Sequence, residues 1–193
     1  MNALIENTIR TAVDKHTDSW DGSPFQDIVK LTNDERGRWG EDLIHQLLTQ
    51  AGVKNTWLND SNINQSDGTY DIQLSDGTRI EVKTSTSHDN WQHENIYAAP
   101  VWDYLAFVDV SYDRITFTFI SYDDLSVSLG PDAVKHPVFN RKGCLRSAQD
   151  DKYKYDFGQK QHRDGVANGY SFVYISDEPD EEGLVEYIAN SCK

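Results

Sequence analysis

The chain has 193 residues, 37% of them hydrophobic and 11% aromatic, with a formal net charge of −14. That length fits one domain with a full apolar core, and the aromatic content excludes a disordered polyanion. No stretch is long and apolar enough for a membrane helix, and the acid-bearing opening MNALIENTIRTAVDKH lacks the apolar centre of a signal peptide, so a cytoplasmic protein without membrane contact is expected.

Leu4, Ile5, Ile9, Ala12 and Val13 recur at helical spacing and predict a helix over 3–16. After a loop at 18–24, a second helix is expected from Asn33 or Asp34, either of which can cap it, to about Gln50. Trp39, Leu43, Ile44, Leu47 and Leu48 form its apolar stripe. Gly37 and Gly40 fall on the same side and permit close packing, and Gly52 is placed to end the helix. Strands are expected at 69–74, 78–84, 104–110, 114–120 and 170–175. An acidic turn at 176–183 leads to a short helix at 183–191. This order predicts an α+β or α/β fold, a mixed central β-sheet flanked by helices. It is taken as a single domain over 1–193, with a core at about 34–120 and a basic, loop-rich region at 121–193 that ends in the last strand and helix. Trp91, Tyr97 and Trp102 are assigned to the core. Cys144 and Cys192 have no metal-type spacing and are expected to be reduced.

The segment TYDIQLSDGTRIEVKTS carries the chemistry. Tyr70, Ile72 and Leu74 point one way, and Asp71 and Gln73 the other. On the next strand Ile80 and Val82 share a face opposite Arg79, Glu81 and Lys83. A two-residue Asp76-Gly77 loop would set Asp71 against Val82. A three-residue loop, Ser75-Asp76-Gly77 with a left-handed glycine, sets Asp71 opposite Glu81 and Ile72 opposite Ile80. The apolar pattern selects the second register, because a one-residue slip would bury the charges. The two carboxylates then lie about 5 Å apart. Such a pair repels unless a cation lies between, and a hard divalent ion such as Mg²⁺ suits it. Lys83 projects alongside, where an ammonium can orient a water or stabilise charge on phosphorus. The set fits metal-assisted phosphodiester hydrolysis; the alternative is an ordinary surface hairpin with a Glu/Lys ladder.

Asp71, nine intervening residues, and then Glu81-Val82-Lys83 resemble the D-x(n)-E-x-K core of the PD-(D/E)XK nuclease superfamily, which includes type II restriction endonucleases and Holliday junction resolvases. The resemblance covers residues 34–120, with Tyr70 where the family name has proline. It implies a restriction-endonuclease-like core and a Mg²⁺ site, which Mn²⁺ can also fill. Asp71, Glu81 and the main-chain carbonyl of Val82 would bind the metal, Glu41 on the preceding helix would add to the site, and Lys83 would assist the water. The implied activity is an endonuclease acting on double-stranded DNA as a homodimer, most simply a restriction enzyme. A junction resolvase, or a non-catalytic DNA-mimic or binding module on the same fold, are the alternatives.

The partner surface is read from charge. Residues 135–163 hold eight Lys/Arg and three Asp/Glu, a balance of +5 that leaves −19 on the rest. A polarised molecule can meet a polyanion on one face. Lys142, Arg146, Lys152, Lys154, Lys160 and Arg163 are the candidate phosphate contacts; a solvated loop is the alternative. Gln92, just after the E-x-K strand, is a candidate brace or DNA contact by the resemblance. Thr84, Ser85 and Thr86 could meet phosphate oxygens or simply end the strand. His88 and His93 lack the partners of a zinc site, and His162 has no recognisable partner.

Overall fold

The computed structural model describes residues 19–60, 69–97, 100–126, 144–147 and 152–192, with only the backbone of 144–147 and 152–153. The helix expected at 3–16 and Lys142 lie outside them. A 3-10 turn (Gln26–Lys30) leads into helix α1 (Asn33–Gln50), at the expected bounds. Its cap is Thr32 rather than Asn33 or Asp34. The Thr32 hydroxyl accepts from the Glu35 N–H while the Glu35 carboxylate accepts from the Thr32 N–H, a reciprocal capping box. Such a cap contributes about 1 kcal/mol. At the other end Gly52 takes φ +75°, and the Gly52 and Val53 amides donate to the Thr49 and Leu48 carbonyls, which closes the helix.

Strands β1 (Asn55–Trp57), β2 (Ile72–Leu74), β3 (Arg79–Thr86), β5 (Tyr104–Val110), β6 (Arg114–Ser121) and β9 (Ser171–Ile175) form one sheet in the order β1-β2-β3-β5-β6-β9. Only β3 and β5 run parallel; the other pairs are antiparallel. The sheet is therefore mixed and the fold is α+β. Strand β4 (Asn90–Tyr97) leaves this sheet and pairs with β8 (Lys152–Gly158), which pairs with β7 (Cys144–Ser147). Helices α2 (Tyr122–Ser126), α3 (Gln159–Ala167) and α4 (Glu181–Asn190) complete the described elements.

The two faces of the large sheet bury different partners. On one face Val82, Ala106, Val108 and Phe117 pack with Ile44 and Leu48 of α1 and Leu184 and Ile188 of α4. On the other, Leu105, Phe107 and Ile120 pack with Trp91, Tyr155 and Phe157 of the small sheet. Every side chain from Leu105 to Val110 is buried, because β5 is covered on both faces. Trp91 and Trp102 belong to this second core as expected, but Tyr97 is 41% exposed. A bulge between His93 and Ile96, with Asn95 at φ +61°, shifts the alternation and turns Tyr97 outward. Strands β1, β4, β7 and β8 and helices α2 and α3 lie outside the elements expected from the sequence.

Candidate active site

The hairpin turns through the three-residue loop. Gly77 takes φ +95°, and Ile72 pairs with Ile80 and Gln73 with Arg79. One step further, Asp71 lies just outside the paired register, and its N–H donates to the Ile80 carbonyl at 3.0 Å. Strand β2 stops there, so the polar edge of β3 is open beyond it. The Asp71 carboxylate fills that edge and accepts the Val82 N–H at 2.8 Å. Within a strand, one residue's N–H and C=O project to the same edge, so the Val82 carbonyl faces the same way.

Helix α1 supplies Glu41, 9% exposed. The close approach depends on Gly40: a Cβ there would lie 1.9 Å from the Thr84 hydroxyl oxygen of β3. At Gly37, by contrast, a Cβ would meet nothing within 4 Å. The Glu41 carboxylate accepts from the Trp57 indole N–H at 2.9 Å and from the Asn59 amide at 2.8 Å. The same Asn59 amide reaches Asp71 at 3.2 Å and ties the two carboxylates together. Lys83 donates to Glu81, and both are largely covered. All four residues expected to act together, Asp71, Glu81, Lys83 and Glu41, line one cleft of about 940 Å³.

Burial pushes the Asp71 carboxyl up to about 8, and the neighbouring Glu81 and Glu41 charges add to it. Glu81 is also raised, by burial first, with Lys83 pulling the other way. The cluster is thus short of positive charge. Among the described residues, no three His, Cys, Asp or Glu side chains already form a metal-holding group. The donors themselves are carboxylate and carbonyl oxygens on an open, polar cleft, the chemistry a hard divalent cation takes. Lys83 donates to the Glu81 carboxylate, and the Asn59 amide donates to those of Glu41 and Asp71.

The expected DNA contacts scatter. Gln92 is exposed and lines the cleft. Lys154 lies 3.7 Å from Glu94 and 3.8 Å from Asp156. Lys160 pairs with Asp164 at 2.6 Å, and Arg163 lines a different cavity. Arg146 and Lys152 fall on β7 and β8, where only the backbone is described. All three hydroxyl residues after Lys83 line the cleft; Thr86 accepts from Arg36 at 2.6 Å, and the Thr84 hydroxyl is turned against Gly40.

Three features escaped the sequence reading. Arg36 and Arg38 of α1 line the cleft beside the carboxylates. Asn59 bridges Glu41 and Asp71, with no signal in its local sequence. Third, Asp109 is wholly buried and accepts from His93 Nε2 and His162 Nε2, each at 2.7 Å. Burial alone would push its carboxyl up; the two imidazoles outweigh that and hold it below the ordinary range. An acid inside the apolar run YLAFVDV was the signal, because a buried charge needs partners.

Fold and cleft together define an α+β protein with a carboxylate-and-amine site at the open edge of a hairpin. No family model matches the chain, and no curated protein matches it.

Proposed function

We propose that the protein is a Mg²⁺-dependent endodeoxyribonuclease of the restriction-endonuclease type, with a PD-(D/E)XK-like site. The observation that carries this reading is the gathering of Asp71, Glu81 and the buried Glu41 beside Lys83 in one cleft. Asp71, Glu81 and the Val82 carbonyl would hold the ion, with Glu41 behind them. A divalent cation held there would supply charge neutralisation at the scissile phosphate and a more acidic water. Lys83 orients the attacking water and steadies the charge that builds on the phosphoryl oxygens. Asn59 and Trp57 fix Glu41, so that the carboxylates are preorganised before substrate arrives. Water adds to phosphorus as the P–O3′ bond breaks, and the products are a 5′-phosphate and a 3′-hydroxyl.

Arg36, Arg38 and Gln92 line the entrance and supply contacts for a phosphate backbone. Two such sites related by a two-fold axis would cut both strands in one encounter, so a homodimer is the proposed active species. The test is digestion of supercoiled and linear plasmid and of a branched-DNA panel with Mg²⁺ or Mn²⁺, followed by end sequencing. Discrete ends on linear plasmid support a restriction enzyme, and cleavage confined to branched DNA supports a resolvase. No cleavage of any substrate overturns the proposal.

A further inference from the structure

A second cavity, of about 530 Å³, opens between α3, the β5–β6 turn and the β3–β4 turn. It shares no lining residue with the carboxylate cleft. Its charge is opposite to that of the chain as a whole. Arg114 and Arg163 line it, with the imidazoles of His88 and His162, against one carboxylate, Asp113. Arg114 already holds Asp113 through two hydrogen bonds, of 2.8 and 2.7 Å. Arg163 is exposed, and no ion pair engages it among the described residues. In a protein of net charge −14, two guanidiniums against one carboxylate make this a locally cationic surface.

The rim is apolar. Only four large hydrophobic side chains among the described residues are exposed, and two of them, Tyr112 at 38% and Val166 at 48%, line this cavity. The Tyr112 hydroxyl donates to the Asp21 carbonyl at 2.8 Å, which holds the ring in place. An aromatic fixed at its tip offers a flat face at little entropic cost. The inner wall is equally fixed. His162 is 8% exposed, its ring centroid 4.3 Å from that of Trp91, and Asp109 holds its Nε2. Wall and aromatic rim are thus in position without a ligand, and among the described residues the Arg163 guanidinium is left free to meet one.

We propose that this cavity binds a small phosphate monoester carrying an aromatic ring, of the size of a nucleoside monophosphate. The phosphate sits between Arg163 and Arg114, and the ring lies against Tyr112 and Val166. The volume suits such a ligand, since small-molecule sites run from about 300 to 1,000 Å³. His162, Asp109 and His93 link this cavity to the first, because His93 lines the carboxylate cleft. The inference goes beyond the nuclease reading and does not depend on it.

Calorimetric titration of the full chain with deoxyadenosine monophosphate, deoxyadenosine or inorganic phosphate tests it. The monophosphate should bind at least ten-fold more tightly than either fragment. Arg163→Ala and Arg114→Ala should each weaken it at least ten-fold, whereas Glu81→Ala should bind as the parent does. Both arginines are on the surface, so neither variant threatens the fold. The proposal is overturned if the monophosphate does not bind, if phosphate alone binds equally well, or if affinity is lost in Glu81→Ala but kept in Arg163→Ala, which would put the ligand in the carboxylate cleft.

Discussion

Replacing Asp71 with asparagine should stabilise the metal-free protein at neutral pH while abolishing cleavage. Burial, and then the Glu81 and Glu41 charges, pushes this carboxyl from 3.8 up to about 8. A folded value above the unfolded one means that the folded chain holds the proton longer. The group therefore favours the fold fully below about pH 4, and that contribution is lost as pH rises towards about 8. About three units separate the ordinary value from neutrality, and at about 1.36 kcal/mol per unit the ceiling is about 4 kcal/mol. Water and counter-ions in the open cleft screen part of this, so the expected gain is about 1–2 kcal/mol, or roughly 2–8 °C in Tm. Asparagine can still accept the Val82 N–H and can donate to the neighbouring carboxylates. Thermal melts at about pH 5 and about pH 7.5, with chelator or with Mg²⁺, read the effect. The parent should gain from acid and from Mg²⁺; Asp71→Asn should melt above it in chelator at the higher pH and gain little from either. An Asp71→Asn protein that melts below the parent in chelator at the higher pH would refute the reasoning.

Gly40→Ala should cost about 1–2 kcal/mol, since the new methyl overlaps the Thr84 hydroxyl and the clash outweighs the better helix propensity. Adding Thr84→Ala should recover at least half of that in a denaturant-melt double-mutant cycle; no recovery would mean the contact is not the cause. Asp109→Leu strands two buried imidazoles and should cost about 3–5 kcal/mol by urea unfolding. Because the Asp109 carboxyl lies below its ordinary value, its contribution is full above about pH 4 and is lost as pH falls further, so the acid limb of the parent's stability curve should flatten in this variant. Burial pushes the Cys192 thiol up to about 12, so in a Cys144→Ser background an aromatic disulfide reagent should react slowly with folded protein and quickly in denaturant. Arg38→Ala should reduce the salt slope of DNA binding by about one, whereas Lys160→Ala, whose ammonium already pairs with Asp164, should leave it near the parent's.

The hairpin could be read from sequence because two rules agreed on it. Alternation fixed which side chains shared a face, and the Ser75-Asp76-Gly77 loop fixed the parity that sets Ile72 opposite Ile80 and leaves Asp71 and Glu81 in one cleft. Helix α1 was equally plain, with Gly37 and Gly40 on the side of its apolar stripe; the purpose of Gly40 appears once Thr84 is set against it. The bounds of β5 were legible for a different reason, a continuous apolar run. Strand β4 was not. Its outward residues Asn90 and Gln92 are amides, its phase shifts at Asn95, and its partner β8 lies more than fifty residues away, so no local pattern could declare it. Helix α3, QKQHRDGVA, carries too little apolar surface to show helical spacing. The basic residues misled for a related reason: charge counted along the chain does not reveal that Lys154 and Lys160 already face acids, nor that Arg36 and Arg38 line the cleft that holds the carboxylates. Asn59 became visible only when the fold brought β1 beneath α1.

The account rests on Asp71, Glu81 and Lys83 acting as one metal-dependent unit. Its most direct test is Mg²⁺-dependent cleavage of supercoiled plasmid by the parent, Glu81→Ala, Lys83→Ala and His162→Ala proteins, each first shown to be folded by circular dichroism. Loss of cleavage in the first two variants, with retention in the third, is the expected result. Cleavage by Glu81→Ala and Lys83→Ala at the parent's rate would contradict it.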